Sequence, residues 1–212
     1  MTSPRFQILL VLLVGASALI TSASWAQPPA KKLIEYGWDV PTPSFVAAHI
    51  REMEERPFEG LIMRVPEIGS VFVNTKVDES SIASEMDALA RIEWGKFTDN
   101  FICMYSASTM DWFSDEDWEA VLQRTRLCAR AARIGRCKGV CFDYEPYGKN
   151  PWQYSEQAQA DNKSFEEYYA QVRKRGAQFM QALEAEYPGL VMHTFFQLSY
   201  FSHIAREPDE AA

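Results

Sequence analysis

Five short apolar runs closed by turn residues alternate with four stretches of helical spacing, and this alternation constrains the fold more than any other feature of the chain. Residues 33–39, 60–65, 100–106, 138–145 and 190–198 read as strands. Between them, 44–55 carries Val46, Ile50 and Met53 on one face, and 80–93 carries Ile82, Met86 and Leu89. Ser114, followed by Asp115, Glu116 and Asp117, predicts a helix start, and that helix runs to Gly135. Ser164 predicts a last helix, ended by Pro188-Gly189, with a buried stripe of Phe165, Tyr168, Tyr169, Val172, Phe179, Leu183 and Tyr187. Strand, helix, strand, helix predicts an α/β fold with parallel strands whose C-terminal ends share one side. No Gly-x-Gly-x-x-Gly or Walker loop follows the first strand, so a nucleotide-binding sheet has no support. The expected architecture is a (β/α) TIM-barrel-like domain. A full barrel takes about 250 residues. This chain has 212 and five strands, which predicts an incomplete barrel of about five strands and four helices over 33–212, in preference to an open sheet.

Composition narrows the class. A 47% hydrophobic chain of this length can bury a core in one domain, and a formal net charge of -8 argues against nucleic acid or an anionic membrane surface as partner. Arg5, an apolar run over 8–20 and Ser24-Trp25-Ala26 have the pattern of a cleavable signal peptide over 1–26. The expected location is therefore secreted or periplasmic, with no membrane span after cleavage, and an uncleaved anchor is the alternative. Residues 27–32, with Pro28 and Pro29, read as a linker. Export permits disulfides among Cys103, Cys128, Cys137 and Cys141, in three possible pairings. Cys103 and Cys141 lie in strands and read as buried small apolar residues, while Cys128 and Cys137 could bridge a helix to the next strand. No Cys/His spacing predicts a metal, and no cofactor is expected. The edges of a five-stranded sheet leave pairing with another chain open.

The fourth strand carries the chemistry. Along 138–148, Gly139, Cys141, Asp143 and Glu145 alternate onto one face, and Val140, Phe142 and Tyr144 onto the other, before Pro146 and Gly148 break the run. Two carboxylates at a strand's C-terminal end stand where a βα-barrel keeps its catalytic groups. The same alternation gathers Glu35, Gly37 and Asp39 from the first strand, Arg64 from the second, Tyr105 from the third, and His193 with Gln197 from the fifth. If these faces line the barrel, Arg64 is a buried cation beside several carboxylates. A structural ion-pair network accounts for Arg64, Glu35 and His193 singly better than catalysis does.

Paired carboxylates suit glycoside cleavage, in which one protonates the leaving oxygen. If both share a desolvated mouth, Asp143 also raises the pKa of Glu145, as a general acid requires. Trp38, Tyr105, Trp112, Tyr147, Trp152, Tyr154 and Tyr200 are candidate stacking rings for a sugar, with Trp152 and Tyr154, in the polar loop 149–163, foremost. The candidate substrate-binding set is Trp38, Asp39, Arg64, Tyr105, Tyr147, Trp152 and Gln197.

The segment Val140-Cys141-Phe142-Asp143-Tyr144-Glu145 resembles the end of the fourth-strand Asp-x-Asp-x-Glu signature of family 18 chitinase-like glycoside hydrolases. Cys141 stands where the middle Asp would be, and Lys138 where a further, earlier Asp would be. That resemblance implies Glu145 as general acid, with Asp143 positioning a substrate acetamido group as nucleophile. Tyr144-Glu145-Pro146 is also similar to the fourth-strand Asn-Glu-Pro of the large retaining glycosidase clan. There Glu145 would be the acid/base and the nucleophile would come from strand seven. Each resemblance covers about ten residues. The resulting expectation is an exported glycoside hydrolase-like protein acting on a poly- or oligosaccharide. The alternatives are a non-catalytic carbohydrate-binding or cell-surface protein on a degenerate barrel, or an inactive piece of a longer enzyme.

Overall fold

The computed structural model describes residues 31–195. The expected signal peptide, most of the expected linker, the end of the fifth predicted strand, Gln197 and Tyr200 lie outside the described residues. Five strands, β1 (Ile34–Glu35), β2 (Gly60–Met63), β3 (Phe101–Tyr105), β4 (Gly139–Asp143) and β5 (Val191–Thr194), form one parallel sheet in the order β1-β2-β3-β4-β5. Among the described residues four α-helices, α1 (Pro43–Met53), α2 (Ala83–Arg91), α3 (Asp115–Ile134) and α4 (Phe165–Glu186), fill the crossovers.

A strand order that never reverses distinguishes this sheet from a doubly wound one. With every crossover of the same hand, the helices fall on one face. That face holds the main core: Leu61, Met63, Ile102, Met104 and Val140 pack against Val46, Ile50, Leu89, Val121, Phe179 and Leu183. The opposite, inner face carries a smaller apolar set, Ile62, Phe101, Cys103 and Cys141, flanked by Ile34, Tyr105 and Phe195. The sheet curls as an α/β half-barrel with helices outside.

Local signals set the helix ends. The Thr42 hydroxyl accepts the Phe45 N–H ahead of α1, and Ser114 Oγ accepts the Asp117 N–H ahead of α3. Ser164 and Glu167 form a reciprocal capping box on α4. The predicted helix over 80–93 is two pieces, because Asp78 caps a 3₁₀ turn, Glu79–Ile82, before α2 begins. The α4 stripe is also corrected. Phe165 and Tyr169 are exposed, whereas Tyr168, Arg175, Phe179, Ala182 and Leu183 are buried. Arg175 can join that stripe because its guanidinium donates to the Trp112 carbonyl (3.1 Å) and to Asp115 (2.7 Å), and lies over the Trp118 ring.

Close backbone approach starts two strands. At Gly60 a β-carbon would overlap the Asp99 carbonyl, and at Gly139 it would overlap the Val191 backbone. The possible Cys128–Cys137 bridge is not formed: all four thiols are free and buried. Cys128 Sγ faces the Ile68 carbonyl at 3.5 Å, while the Cys137 carbonyl accepts the Tyr187 hydroxyl at 2.9 Å. Burial pushes the Cys103 and Cys137 thiols up to about 12, and Cys128 and Cys141 higher still.

Candidate functional site

The alternation read along the fourth strand holds. Cys141 sits on the inner face, in register between Cys103 of β3 and His193 of β5, and Asp143 ends the strand opposite Tyr105. Beyond Asp143 the chain turns, and the end of β3 pins it there. The Ser106 N–H donates to the Asp143 carbonyl (3.1 Å), and Ser106 Oγ donates to the Glu145 carbonyl (2.9 Å). The Tyr147 N–H donates in turn to the Ser106 carbonyl at 3.4 Å.

This turn brings one phenol onto two carboxylates. The Tyr147 hydroxyl lies 2.9 Å from Asp143 Oδ2 and 3.2 Å from Glu145 Oε2. Asp143, 3% exposed, also accepts the Glu145 N–H on Oδ1 at 3.1 Å. The two acids therefore do not share a desolvated mouth as expected, because Asp143 is enclosed and Glu145 is in water. The Tyr147 hydroxyl is held well above the ordinary phenol range, first by partial removal from water and then by the bond to, and charge of, Asp143. Tyr36 approaches from β1. Burial, followed by the neighbouring Cys103 and Asp143, pushes it up to about 12.

The remaining candidates divide. Tyr105 is half-buried, with its ring perpendicular to that of Tyr147 at 6.0 Å, and belongs to the site. Arg64 is exposed and not the expected buried cation, and its guanidinium pairs with no described carboxylate. The first strand is read one residue out. Ile34 packs with the inner cluster, while Glu35 forms an ion pair with Arg56 after α1. Because β1 ends at Glu35, Trp38 and Asp39 lie beyond it, exposed, beside Tyr36 and Ile62 in a cleft of about 330 Å³. Trp38 is 100% exposed.

Trp152 is 42% exposed, its indole N–H donating to the Tyr144 carbonyl at 2.7 Å and its edge against Phe72. Tyr154 is corrected: its hydroxyl donates to the Ala160 and Lys163 carbonyls and its ring packs on Phe165 and Tyr168, which leaves no free platform. Trp112 is likewise buried in the helix-side core. His193 sits among Phe101 and Phe195 with a buried Nδ1 that has no partner.

Sequence reasoning missed Ser106 and Tyr36, and treated Tyr147 only as a stacking ring. The signal for Tyr147 was the alternation Asp143-x-Glu145-x-Tyr147, which continues the strand's side-chain rhythm past its last ladder bond. Among the described residues no group of three His, Cys, Asp or Glu could hold a metal ion, and no helix is long and apolar enough to cross a membrane. The arrangement offers one fixed, buried carboxylate, one carboxylate free to meet a ligand, and a phenol donor between them. Comparison with family models, curated proteins and solved structures returned no match.

Proposed function

We propose that the half-barrel is the frame of a TIM-barrel-like, exported glycoside hydrolase-like protein acting on a poly- or oligosaccharide, with Glu145 as general acid and Asp143 as its partner. The observation that carries this reading is the phenol-bridged pair at the C-terminal end of β4, one acid buried and the other exposed. Glu145 is free to present a proton to a glycosidic oxygen. Asp143, fixed by the Tyr147 hydroxyl and the Glu145 N–H, is placed to orient a substrate group or the acid itself.

The shared phenol keeps the two bonded oxygens within about 6 Å of each other, and Asp143 is enclosed and held by the Tyr147 hydroxyl and the Glu145 N–H. The pair is therefore suited to a reaction whose nucleophile is supplied elsewhere, such as a substrate acetamido group. Trp38 and Trp152, exposed near the same end of the sheet, supply ring faces for sugars.

The test is hydrolysis of chromogenic oligosaccharides by the full chain and by Glu145→Gln. Loss of at least about 10²-fold in rate, with circular dichroism unchanged, is expected for removal of a general acid. Unchanged hydrolysis by the variant overturns the assignment. If both proteins bind polysaccharide and neither cleaves it, the non-catalytic carbohydrate-binding reading replaces it.

A further inference from the structure

We infer that the groove beside Tyr105 is a subsite for an anionic sugar substituent, a carboxylate or a sulfate, held by Arg124 and Arg64. The inference rests on the carbohydrate reading above and adds the class of carbohydrate. The groove, about 490 Å³, opens at the end of β3, and Glu67, Ser70, Thr75, Tyr105, Thr109 and Arg124 are among the residues that line it.

Arg124 reaches it from α3 and is 7% exposed. Its Nε donates to the Thr75 carbonyl (3.0 Å), Nη2 to the Thr75 hydroxyl (3.3 Å) and Nη1 to the Glu67 carbonyl. Every one of these partners is a neutral dipole. Arg175, the other arginine buried among the described residues, has a carboxylate partner in Asp115 at 2.7 Å. Among the described residues Arg124 has none within ion-pair distance: the Glu67 carboxylate is close enough for its charge to be felt, yet forms no pair, and burial lowers the Arg124 pKa. A guanidinium carries five N–H donors, so two remain unused here. A desolvated cation in that state gains from an anion.

Arg64 stands by the same ring. A β-carbon on Gly69 would lie 2.9 Å from Tyr105 Cε1 and 3.5 Å from Arg64 Cγ, so the stem of Arg64 and the ring of Tyr105 meet at one backbone point. Arg124 therefore lines the groove beside Tyr105, and the exposed Arg64 starts its stem near the same ring; among the described residues neither pairs with a carboxylate. The Tyr105 ring is 6.0 Å from that of Tyr147, which holds the two acids, so the groove begins one ring away from the proposed proton donor. Planar guanidinium forks match carboxylate and sulfate oxygens, whereas neutral sugars offer only hydroxyls. A chain of net charge -8 has no general attraction for polyanions, so retention of an acidic oligosaccharide reports a local site.

The experiment is calorimetric titration of the full chain, carrying Glu145→Gln to prevent turnover, with matched pairs of ligands. These are oligogalacturonide against its methyl ester, and chondroitin sulfate oligosaccharide against its desulfated form. The acidic member of a pair is expected to bind on the order of tenfold more tightly, and Arg124→Gln and Arg64→Gln are each expected to erase that preference. Because Arg124 also pins the segment 67–75, Arg64→Gln, which lies outside that clamp, keeps the test decisive if the first variant does not fold. Equal binding of both members, or a preference that survives Arg64→Gln, overturns the inference and leaves the proposed function standing. If no oligosaccharide binds, millimolar sulfate against chloride at matched ionic strength separates the remaining cases. A rise in Tm that Arg64→Gln removes keeps the anion site and rejects the carbohydrate reading, and no rise rejects both.

Discussion

Replacing Tyr147 by Phe removes one hydroxyl and keeps the ring, so it isolates the link between the two acids. The hydroxyl is 2.9 Å from Asp143 Oδ2, and Asp143 is 3% exposed, so the variant leaves one oxygen of an enclosed carboxylate with a missing donor. Hydrogen bonds to charged groups contribute about 1.5–3 kcal/mol. Tyr147 itself is 44% exposed, which lets water approach the vacated place and sets the expected loss at the lower end, about 1.5 kcal/mol. For a domain of this size that is a fall in Tm of roughly 3–6 °C at pH 7.

The pH dependence has a definite sign. Tyrosine in the unfolded chain ionises near pH 10, while in the folded protein Tyr147 keeps its proton well above that. Between those limits the unfolded chain has lost a proton that the folded chain retains, so the stabilisation is fully present below pH 10 and declines as the pH rises further. Denaturant midpoints of the full chain and of Tyr147→Phe should therefore differ at pH 7 and converge towards pH 11. No difference at pH 7, or the same difference at both pH values, would refute the claim that this phenol holds the acids.

Other expectations follow from individual contacts. Glu145→Gln should lower oligosaccharide hydrolysis by at least about 10²-fold with the fold intact. Gly60→Ala should cost about 3 kcal/mol in urea unfolding, because its new methyl meets the Asp99 carbonyl, whereas Gly37→Ala, with nothing within 4 Å, should stay within about 0.5 kcal/mol. Equal costs would show that the strand start yields. An aromatic disulfide reagent at pH 8 should leave the folded protein unlabelled over minutes and label all four cysteines in denaturant, since buried thiols ionising near 12 or above present almost no thiolate. Rapid labelling of the native chain contradicts the burial.

The alternation of apolar runs with helical spacing was enough to establish five parallel strands, four helices and the inner position of Cys141 and Asp143, because side-chain period and crossover handedness are local or general constraints. Caps at Ser114 and Ser164 were legible for the same reason: a hydroxyl and an acid within one turn satisfy the free amides there. What failed was whatever depended on a partner far along the chain. Glu35 looked inward by alternation, but it ends a strand only two residues long and pairs with Arg56, which follows α1. Tyr154 looked free in its loop until the carbonyls of Ala160 and Lys163 took its hydroxyl.

The site divides along the same line. The place of Asp143 and Glu145 at the end of an apolar run was legible in the sequence, since two acids there need partners or a use. That Asp143 is enclosed while Glu145 is not, that Ser106 pins the turn, and that Tyr147 bridges the pair were decided only when β3 and β4 came side by side. Periodicity depends on the backbone alone and travels with the sequence. Enclosure, charge compensation and a shared hydroxyl donor depend on which residues the curled sheet brings within about 3 Å, and only the tertiary structure sets those distances.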